Sequence, residues 1–210
     1  MHEDKTNSWN ASLKYLCIDA VCRSIDRQTS ALKYLPVSLK NVLLHVLGRR
    51  AALNVAVVTS LLNHSVEKLD LTSCKGLDDQ VLRSLASCSQ LRELTINKQI
   101  LSETKEFDSS TLSFVFSRLP LLSVLHLKEC TSMTDDVIAS IADNCPAISV
   151  LNIGGVHSIT DTSMKWLAKL EHLTSLNISH SGEVNKKTKG QVAEGSVEER
   201  EEDCGKEEET

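Results

Sequence analysis

The stretch LLSVLHLKECTSMTDDVIASIADNC, residues 121–145, changes its hydrophobic period within one segment. Its first part alternates apolar and polar positions and puts Leu125 and Leu127 on one face, which is typical of a short strand. Its second part has apolar residues at helical spacing, among them Ile138 and Ile141. The segment therefore predicts one structural unit made of a strand, a turn and a helix.

The same frame recurs along the chain, so that five strands are expected. Successive strands are separated by 25, 31, 26 and 25 residues, at or near the period of leucine-rich repeats. The longest interval contains the polar segment 100–110, where about five extra residues can loop out of a stack of repeats. The paired strand positions are Leu69 and Leu71, Leu94 and Ile96, Leu125 and Leu127, Leu151 and Ile153, and Leu176 and Ile178.

A single unit of this kind cannot bury its apolar side, so such units stack on their neighbours. The sequence therefore predicts an α/β fold, a curved leucine-rich-repeat solenoid with a parallel strand ladder on its concave face, helices on its convex side and N-terminal helices as a cap. Asp79, Asp135 and Asp161 precede the repeat helices, and we expect them to act as N-caps. The predicted domains are an N-terminal helical segment (1–50), a degenerate capping repeat (51–65), leucine-rich repeats (66–182) and a disordered acidic tail (183–210).

Composition restricts the class of function. The 210-residue chain has seven cysteines and a net charge of -5, and this negative charge is concentrated in the tail. The odd cysteine count, together with the lack of an N-terminal apolar signal segment, indicates the cytoplasm or the nucleus. No apolar run approaches the roughly 20 residues that cross a bilayer, and no basic face with interleaved aromatic residues predicts nucleic-acid binding. We therefore expect protein partners, with no membrane and no nucleic acid.

Outward-facing positions on the strand ladder are the expected substrate-binding surface, because a solenoid presents its concave face to partners. These side chains are polar and mixed in charge, which suits a protein surface without naming a ligand. The predicted substrate-binding residues are Asp70, Thr95, His126, Asn152 and Asn177.

Four cysteines recur in the repeat frame. Cys74 and Cys130 follow the last strand leucine by three positions, and Cys88 and Cys145 open the next unit. This arrangement resembles the cysteine-containing leucine-rich repeats of F-box substrate adaptors. Zinc binding is the alternative, but the C-x-x-C pairs of a structural site are absent. We expect buried thiols that pack as small hydrophobes, with no metal and no cofactor.

The first 50 residues lie outside the repeat and contain two amphipathic patterns. The simpler hypothesis is that both helices fold onto the first repeat as a cap. Alternatively, Leu13, Cys17 and Val21 resemble the elongin-binding box of cullin ubiquitin ligases, and the later LPVSLKNVL pattern is similar to the cullin-selecting box. An F-box is a weaker match, because no tryptophan-bearing portion follows. The predicted adaptor-binding residues are Leu13, Leu16, Cys17, Val21, Leu35, Pro36, Leu39 and Leu43.

Most of the chain, from about Leu13 to Ser181, resembles the antagonist of mitotic exit network family, whose members combine an N-terminal helical segment with cysteine-containing leucine-rich repeats. The stretches LPVSLKNVLL, VEKLDLTSC, LKECTSMTDDVIASIADNC and LNIGGVHSITDTSMKWLA carry the resemblance. It implies a protein-binding regulator of the ubiquitin pathway or the cell cycle. The chain departs from the family pattern at Gln99, Val156 and Ser181, which occupy the usual Asn or Cys position.

The predicted function is substrate recognition in a cullin-type E3 ubiquitin ligase, with elongin and cullin subunits or an F-box adaptor as partners. The alternative is an interaction scaffold or competitive antagonist without a ligase. We expect no enzymatic activity, because the sequence has no Gly-rich phosphate loop, metal-ligand pair or nucleophile elbow.

Overall fold

The computed structural model describes residues 18–25, 29–96 and 107–180. The predicted adaptor residues Leu13, Leu16 and Cys17 lie outside the described residues. So do the predicted acidic tail and most of the insertion between the second and third strands.

Five short strands form one parallel sheet in chain order. Each strand is three residues long, and each of the first four is followed along the chain by a helix. The description ends shortly after the fifth strand. The strands are β1 Lys68–Asp70, β2 Glu93–Thr95, β3 Val124–His126, β4 Val150–Asn152 and β5 Ser175–Asn177.

The helices form a second layer in which each repeat helix packs against the next. The first repeat helix, Asp79–Ser84, continues into the 3-10 turn Leu85–Ser87. The described part of α1 is residues 18–23. The others are α2 Thr29–Leu32, α3 Val37–Arg49, α4 Val55–Leu61, α5 Asp79–Ser84, α6 Ser109–Phe116, α7 Asp135–Asn144 and α8 Asp161–Leu167.

Strand register confirms the repeat frame. The first leucine of each predicted pair aligns with its equivalents in one row across the sheet, and the row runs from Leu69 through Leu94, Leu125 and Leu151 to Leu176. Four of these side chains are buried, whereas Leu176 on the last strand is half-buried. A slip by one residue would turn the whole row to the other face of the sheet, so burial of the leucines holds the register. The chain is an α/β leucine-rich-repeat solenoid.

The capping repeat is joined to the first full repeat by backbone contacts. Asn54 caps α4 and accepts a hydrogen bond from the Val57 N–H at 3.0 Å. It also forms an isolated parallel bridge with Lys75, whose N–H donates to the Leu53 carbonyl at 3.1 Å. The buried side chains of α4, with Leu53, therefore extend the core one layer before β1.

The predicted helix caps are wrong by one residue. The N-caps of α5, α7 and α8 are Asp78, Thr134 and Thr160, and the predicted aspartates are each the first helical residue. In the first turn their carboxylates complement the helix dipole, whereas the N-cap position belongs to the preceding residue. The aspartate caps named from sequence, at residues 79, 135 and 161, are corrected accordingly.

Two of these aspartates connect neighbouring repeats. Asp79 accepts a hydrogen bond from the Asp108 N–H at 3.0 Å, at the start of the next repeat helix. Asp135 accepts from the N–H and hydroxyl of Thr160, at 2.9 and 2.6 Å, and from the buried hydroxyl of Ser163. We call the group Asp135, Thr160 and Ser163 the inter-repeat clamp. It holds the start of α7 against the start of α8.

The described part of α1 packs on the core through a face that includes Val21, one of the predicted adaptor-binding residues. Ile18 and Ile25 are buried, and Val21 and Cys22 are half-buried against the core. Ala20, on the same helix, is exposed. The choice of face depends on the helices that lie beneath α1, and the local spacing of apolar residues does not contain that information.

An ion pair joins α1 to the end of α3. The Arg50 Nη1 atom lies 2.7 Å from the Asp19 carboxylate, which also pairs with Arg23. The hydrogen bond from Arg50 is the main cause that holds the pKa of Asp19 below its ordinary value. The contact is solvent-exposed, so we expect it to orient α1 more than to stabilise the fold.

Candidate protein-binding surfaces

The strand register places the five predicted substrate-binding residues side by side. Each is the last residue of its strand, and each is aligned with its neighbour on the next strand. With strands about 4.8 Å apart, five positions span about 19 Å. All five side chains are exposed or half-buried. We call them the polar row: Asp70, Thr95, His126, Asn152 and Asn177.

Three members of the polar row also hold the backbone that follows them. The side-chain oxygens of Asp70, Asn152 and Asn177 accept from the N–H two residues later, at 2.9, 3.2 and 2.9 Å. Such turns end a strand locally without help from the rest of the sheet. Because one carbonyl oxygen of each asparagine is engaged, its NH2 group is the part of the side chain left to donate to a partner.

The other two members have no such structural task. Among the described residues, no hydrogen bond engages the Thr95 hydroxyl or the His126 imidazole. Burial is the largest cause that lowers the pKa of His126, and nearby Lys128 lowers it further against the opposing charges of Glu93 and Asp70. The imidazole is therefore neutral near pH 7, where it can donate one hydrogen bond and accept another.

A second row of side chains lies two residues earlier on each strand. At the end of this row that lies on β1 and β2, the Lys68 ammonium pairs with the Glu93 carboxylate at 2.5 Å. Its middle is aliphatic, since Val124 and Val150 are aligned there and both are half-buried. These valines were not among the predicted binding residues, although their position two residues before His126 and Asn152 places them on the same face. The surface therefore combines hydrogen-bonding groups with a small apolar strip.

The predicted adaptor-binding residues divide between core and surface. Leu43 is only 3% exposed and belongs to the hydrophobic core, so its assignment as an adaptor contact is corrected. The local pattern predicted one apolar face for α3, but the packing of α3 on β1 and α4 buries that part of the face. Val21 and Leu35 are half-buried and pack against the core. Pro36 and Leu39 remain exposed.

An exposed apolar patch surrounds Pro36 and Leu39. Tyr34 is 79% exposed, and Val37 and Leu39 are exposed at 39% and 36%. These side chains lie at the junction of α2 and α3, which we call the cap patch: Tyr34, Pro36, Val37 and Leu39. Three of the four exposed large hydrophobic residues among those described belong to it. The sequence pattern identified two of its members and missed Tyr34 and Val37.

The repeat cysteines are free thiols that pack in the interior. Cys88, Cys130 and Cys145 are buried, and Cys74 is half-buried. The Cys145 thiol contacts two carbonyl oxygens of α6 and the following turn at 3.4 Å, and burial raises its pKa to about 12. A thiol held in its neutral form is a poor nucleophile at neutral pH. These cysteines therefore act in packing.

Neither a metal cluster nor a membrane-spanning helix is present among the residues that the structure describes. They contain no group of three or more His, Cys, Asp or Glu side chains that could hold a metal ion. Within the same ranges, none of the helices has the length and apolar character needed to cross a membrane.

No protein-family model matches the chain. Over 119 residues it is 29% identical to "F-box protein MAX2 homolog A" of Petunia hybrida, which covers 54% of this chain and 17% of that protein. Over 134 residues it is 27% identical to "DNA repair protein rhp7" of Schizosaccharomyces pombe, which covers 63% of this chain and 22% of the relative. The chain thus spans less than a quarter of either relative. The antagonist of mitotic exit network family is not shown by these matches.

Solved structures with some similarity include Rad7 and internalin. Rad7, from the yeast complex of Rad7 and Elc1, gives a TM-score of 0.48 at 16% identity and covers 84% of this chain and 50% of its own. The internalin inlF of Listeria monocytogenes gives a TM-score of 0.43 at 18% identity, and the match covers 65% of this chain and 35% of the internalin chain.

Proposed function

We propose that this chain is the substrate-recognition subunit of a cullin-type E3 ubiquitin ligase and acts in the cytoplasm or the nucleus. The N-terminal helices bind a ligase adaptor of the elongin or F-box-adaptor class, and the polar row binds the protein to be ubiquitinated. The chain itself makes and breaks no bond. Ubiquitin-dependent degradation in cell-cycle control is the role that the resemblance to the antagonist of mitotic exit network family implies.

The observation that carries this proposal is the alignment of five polar side chains on one face of the sheet. Their register leaves hydrogen-bonding groups of Thr95, His126 and the two asparagines facing a partner, with Val124 and Val150 beside them. Interfaces of this kind combine an apolar centre with polar groups that give specificity. Sequence similarity to an F-box protein supports a ligase context for such a surface.

The cap patch supports the part of the proposal that concerns adaptor binding. It lies at the start of α3, and α3 packs against β1 at the first end of the sheet. An adaptor on the cap patch and a substrate on the polar row would then occupy different parts of the molecule. Both could be held at once, as substrate delivery to the ubiquitin-transfer machinery requires.

We expect replacement of two cap-patch residues to weaken adaptor binding without unfolding the protein. In the variant with Val37→Ser and Leu39→Ser, a purified elongin complex should bind at least about tenfold more weakly than it binds wild type, because buried apolar anchors dominate interfaces. The measurement is isothermal titration calorimetry with the full chain, repeated with an F-box adaptor in place of elongin.

The matched control for this experiment is Phe114→Ser, since Phe114 is as exposed as Val37 and lies on a repeat helix. It should bind like wild type. Equal binding by all three proteins would place the adaptor elsewhere, and no binding to either adaptor by the wild type would contradict the ligase proposal.

We expect changes in the middle of the polar row to remove substrates while leaving adaptor binding intact. Thr95→Arg with His126→Glu alters two side chains that hold no hydrogen bond among the described residues, so the fold should be retained. Proteins captured from cells by wild type should be lost, and those that are ubiquitinated should accumulate in cells that carry the variant. Lys165→Glu on α8 is the control. Capture that is unchanged by the double variant would exclude the polar row as the substrate surface.

One observation favours the alternative of a scaffold without a ligase. Val21 and Leu43, two of the predicted adaptor-binding residues, pack in or against the core, as a structural cap requires. In that case the polar row would still bind its partner, but the partner would not be ubiquitinated. The adaptor titration above distinguishes the two functions.

A further inference from the structure

Two arginines flank an exposed phenylalanine on the helical side of the solenoid. Phe114 of α6 is 39% exposed. The guanidinium carbons of Arg83, on α5, and Arg118, just after α6, lie 5.9 and 5.8 Å from the centroid of its ring. We call these residues the arginine cluster. An exposed aromatic ring within 6 Å of two guanidinium carbons forms a surface that can bind both an apolar and an anionic group.

Within the described part of the chain, no carboxylate neutralises this cluster. The ion pairs there involve Arg23, Arg50 and Lys68. Arg83 donates to the buried Thr111 hydroxyl at 2.9 Å, which holds its guanidinium in place and leaves other N–H groups for a ligand. Guanidinium groups bind carboxylates through paired hydrogen bonds. The cluster therefore suits an acidic segment that carries an apolar side chain among its carboxylates.

The chain itself contains such a segment after the last described strand. Residues 181–210 have ten acidic and five basic side chains and so account for the whole net charge of -5. Within them, EGSVEE at residues 194–199 places Val197 between Glu194 and the pair that follows it. Charge and polarity of this segment complement the arginine cluster.

Distances allow the contact within one molecule. Because both guanidinium carbons lie close to one centroid, they are no more than about 12 Å apart, and an extended chain from Glu194 to Glu198 spans about 13 Å. Residues 181–193 reach up to about 43 Å, whereas the three strand spacings between β5 and β2, the strand that precedes α6, are about 14 Å. The segment is therefore long enough to cross the sheet and reach the helical layer. Tethering also gives the segment an effective concentration in the range of millimolar, so weak contacts can hold it.

We propose that the acidic segment 194–199 docks on the arginine cluster of the same chain. Val197 covers the Phe114 ring, and the glutamates pair with Arg83 and Arg118. This interaction is independent of the proposed ligase function. It places the docked segment on the helical side, opposite the polar row, and it weakens as salt screens the ion pairs.

The test compares amide spectra of the full-length chain, labelled with 15N, at low salt. Between wild type and Arg118→Glu, the amides of residues 194–199 and of α6 should shift, and 0.5 M salt should move the wild-type tail signals to the variant's positions. Lys128→Glu makes the same charge change near the polar row and should leave the tail signals in place. Combining Arg118→Glu with Glu198→Arg should restore the wild-type shifts, since the ion pair is re-formed with reversed charges.

Two results would overturn the proposal. Tail signals that superimpose in wild type and Arg118→Glu would show that the segment is not docked. Tail signals that change with protein concentration would show contact between molecules instead of within one. A second variant guards against loss of fold: Glu194→Gln with Glu198→Gln leaves residues 1–180 unchanged and should reproduce the shifts seen in Arg118→Glu.

Discussion

Leu125→Ala should lower the free energy of unfolding by roughly 3 to 4 kcal/mol, the range expected for a large cavity in a rigid core. Leu125 is fully buried in the middle strand, with an aligned leucine on each side. Neighbouring strands cannot move in to fill the space, because their own register is held by the same row. Urea denaturation followed by circular dichroism measures the loss as a lower midpoint.

Leu176→Ala is the matched control for this change. It removes the same atoms from the same row, but the side chain is half-buried on the last described strand. We expect a loss of only about 1 to 2 kcal/mol, since less apolar surface leaves water there. Equal losses at the two positions would mean that the row is not packed as a continuous core.

Asp135→Ala should cost about 2 to 3 kcal/mol, because it leaves the N–H and hydroxyl of Thr160 and the buried Ser163 hydroxyl without their acceptor. The measurement is again the free energy of unfolding in urea. Asp136→Ala is the control, since it removes an exposed carboxylate from the same first turn of α7 and should cost less than about 1 kcal/mol through the helix dipole. Similar losses of unfolding free energy in both variants would show that Asp135 acts only through the helix dipole and that the inter-repeat clamp does not stabilise the fold.

The pH dependence of the clamp provides a separate check. Burial acts to raise the pKa of Asp135, but hydrogen bonds from Ser163 and Thr160 outweigh it and leave the pKa below its ordinary value. A carboxyl group of this kind contributes stability above its unfolded-state pKa of about 3.9, and the contribution is lost as pH falls through the lower folded-state value. The difference in stability between wild type and Asp135→Ala should therefore be constant near pH 7 and shrink in acid. A difference in stability that does not shrink as the pH falls into the acid range would contradict the assignment.

The polar row could be predicted from sequence because it follows from two local facts. Strand side chains alternate between faces, and every leucine of the buried row must point inward. Once Leu125 is placed in the core, His126 must face the other way. The same reasoning failed for the N-terminal helices. Leu39 and Leu43 belong to one helix and one apolar pattern, but Leu39 is exposed whereas Leu43 is buried, with only 3% of its surface accessible. The edge of a helical stripe is defined only by what packs against it.

Sequence by itself determined the repeat, the five strands and their register, since all of these depend on the spacing of apolar residues within one unit. Only the tertiary structure decided which surface residues meet across units. Asp79 and Asp135 look like helix caps within their own repeat, but their acceptor oxygens bind the next one. Arg83 and Phe114 are 31 positions apart and come together only when α5 packs on α6. Contacts between repeats join residues that are distant in the chain, and no local period records which of them will be neighbours.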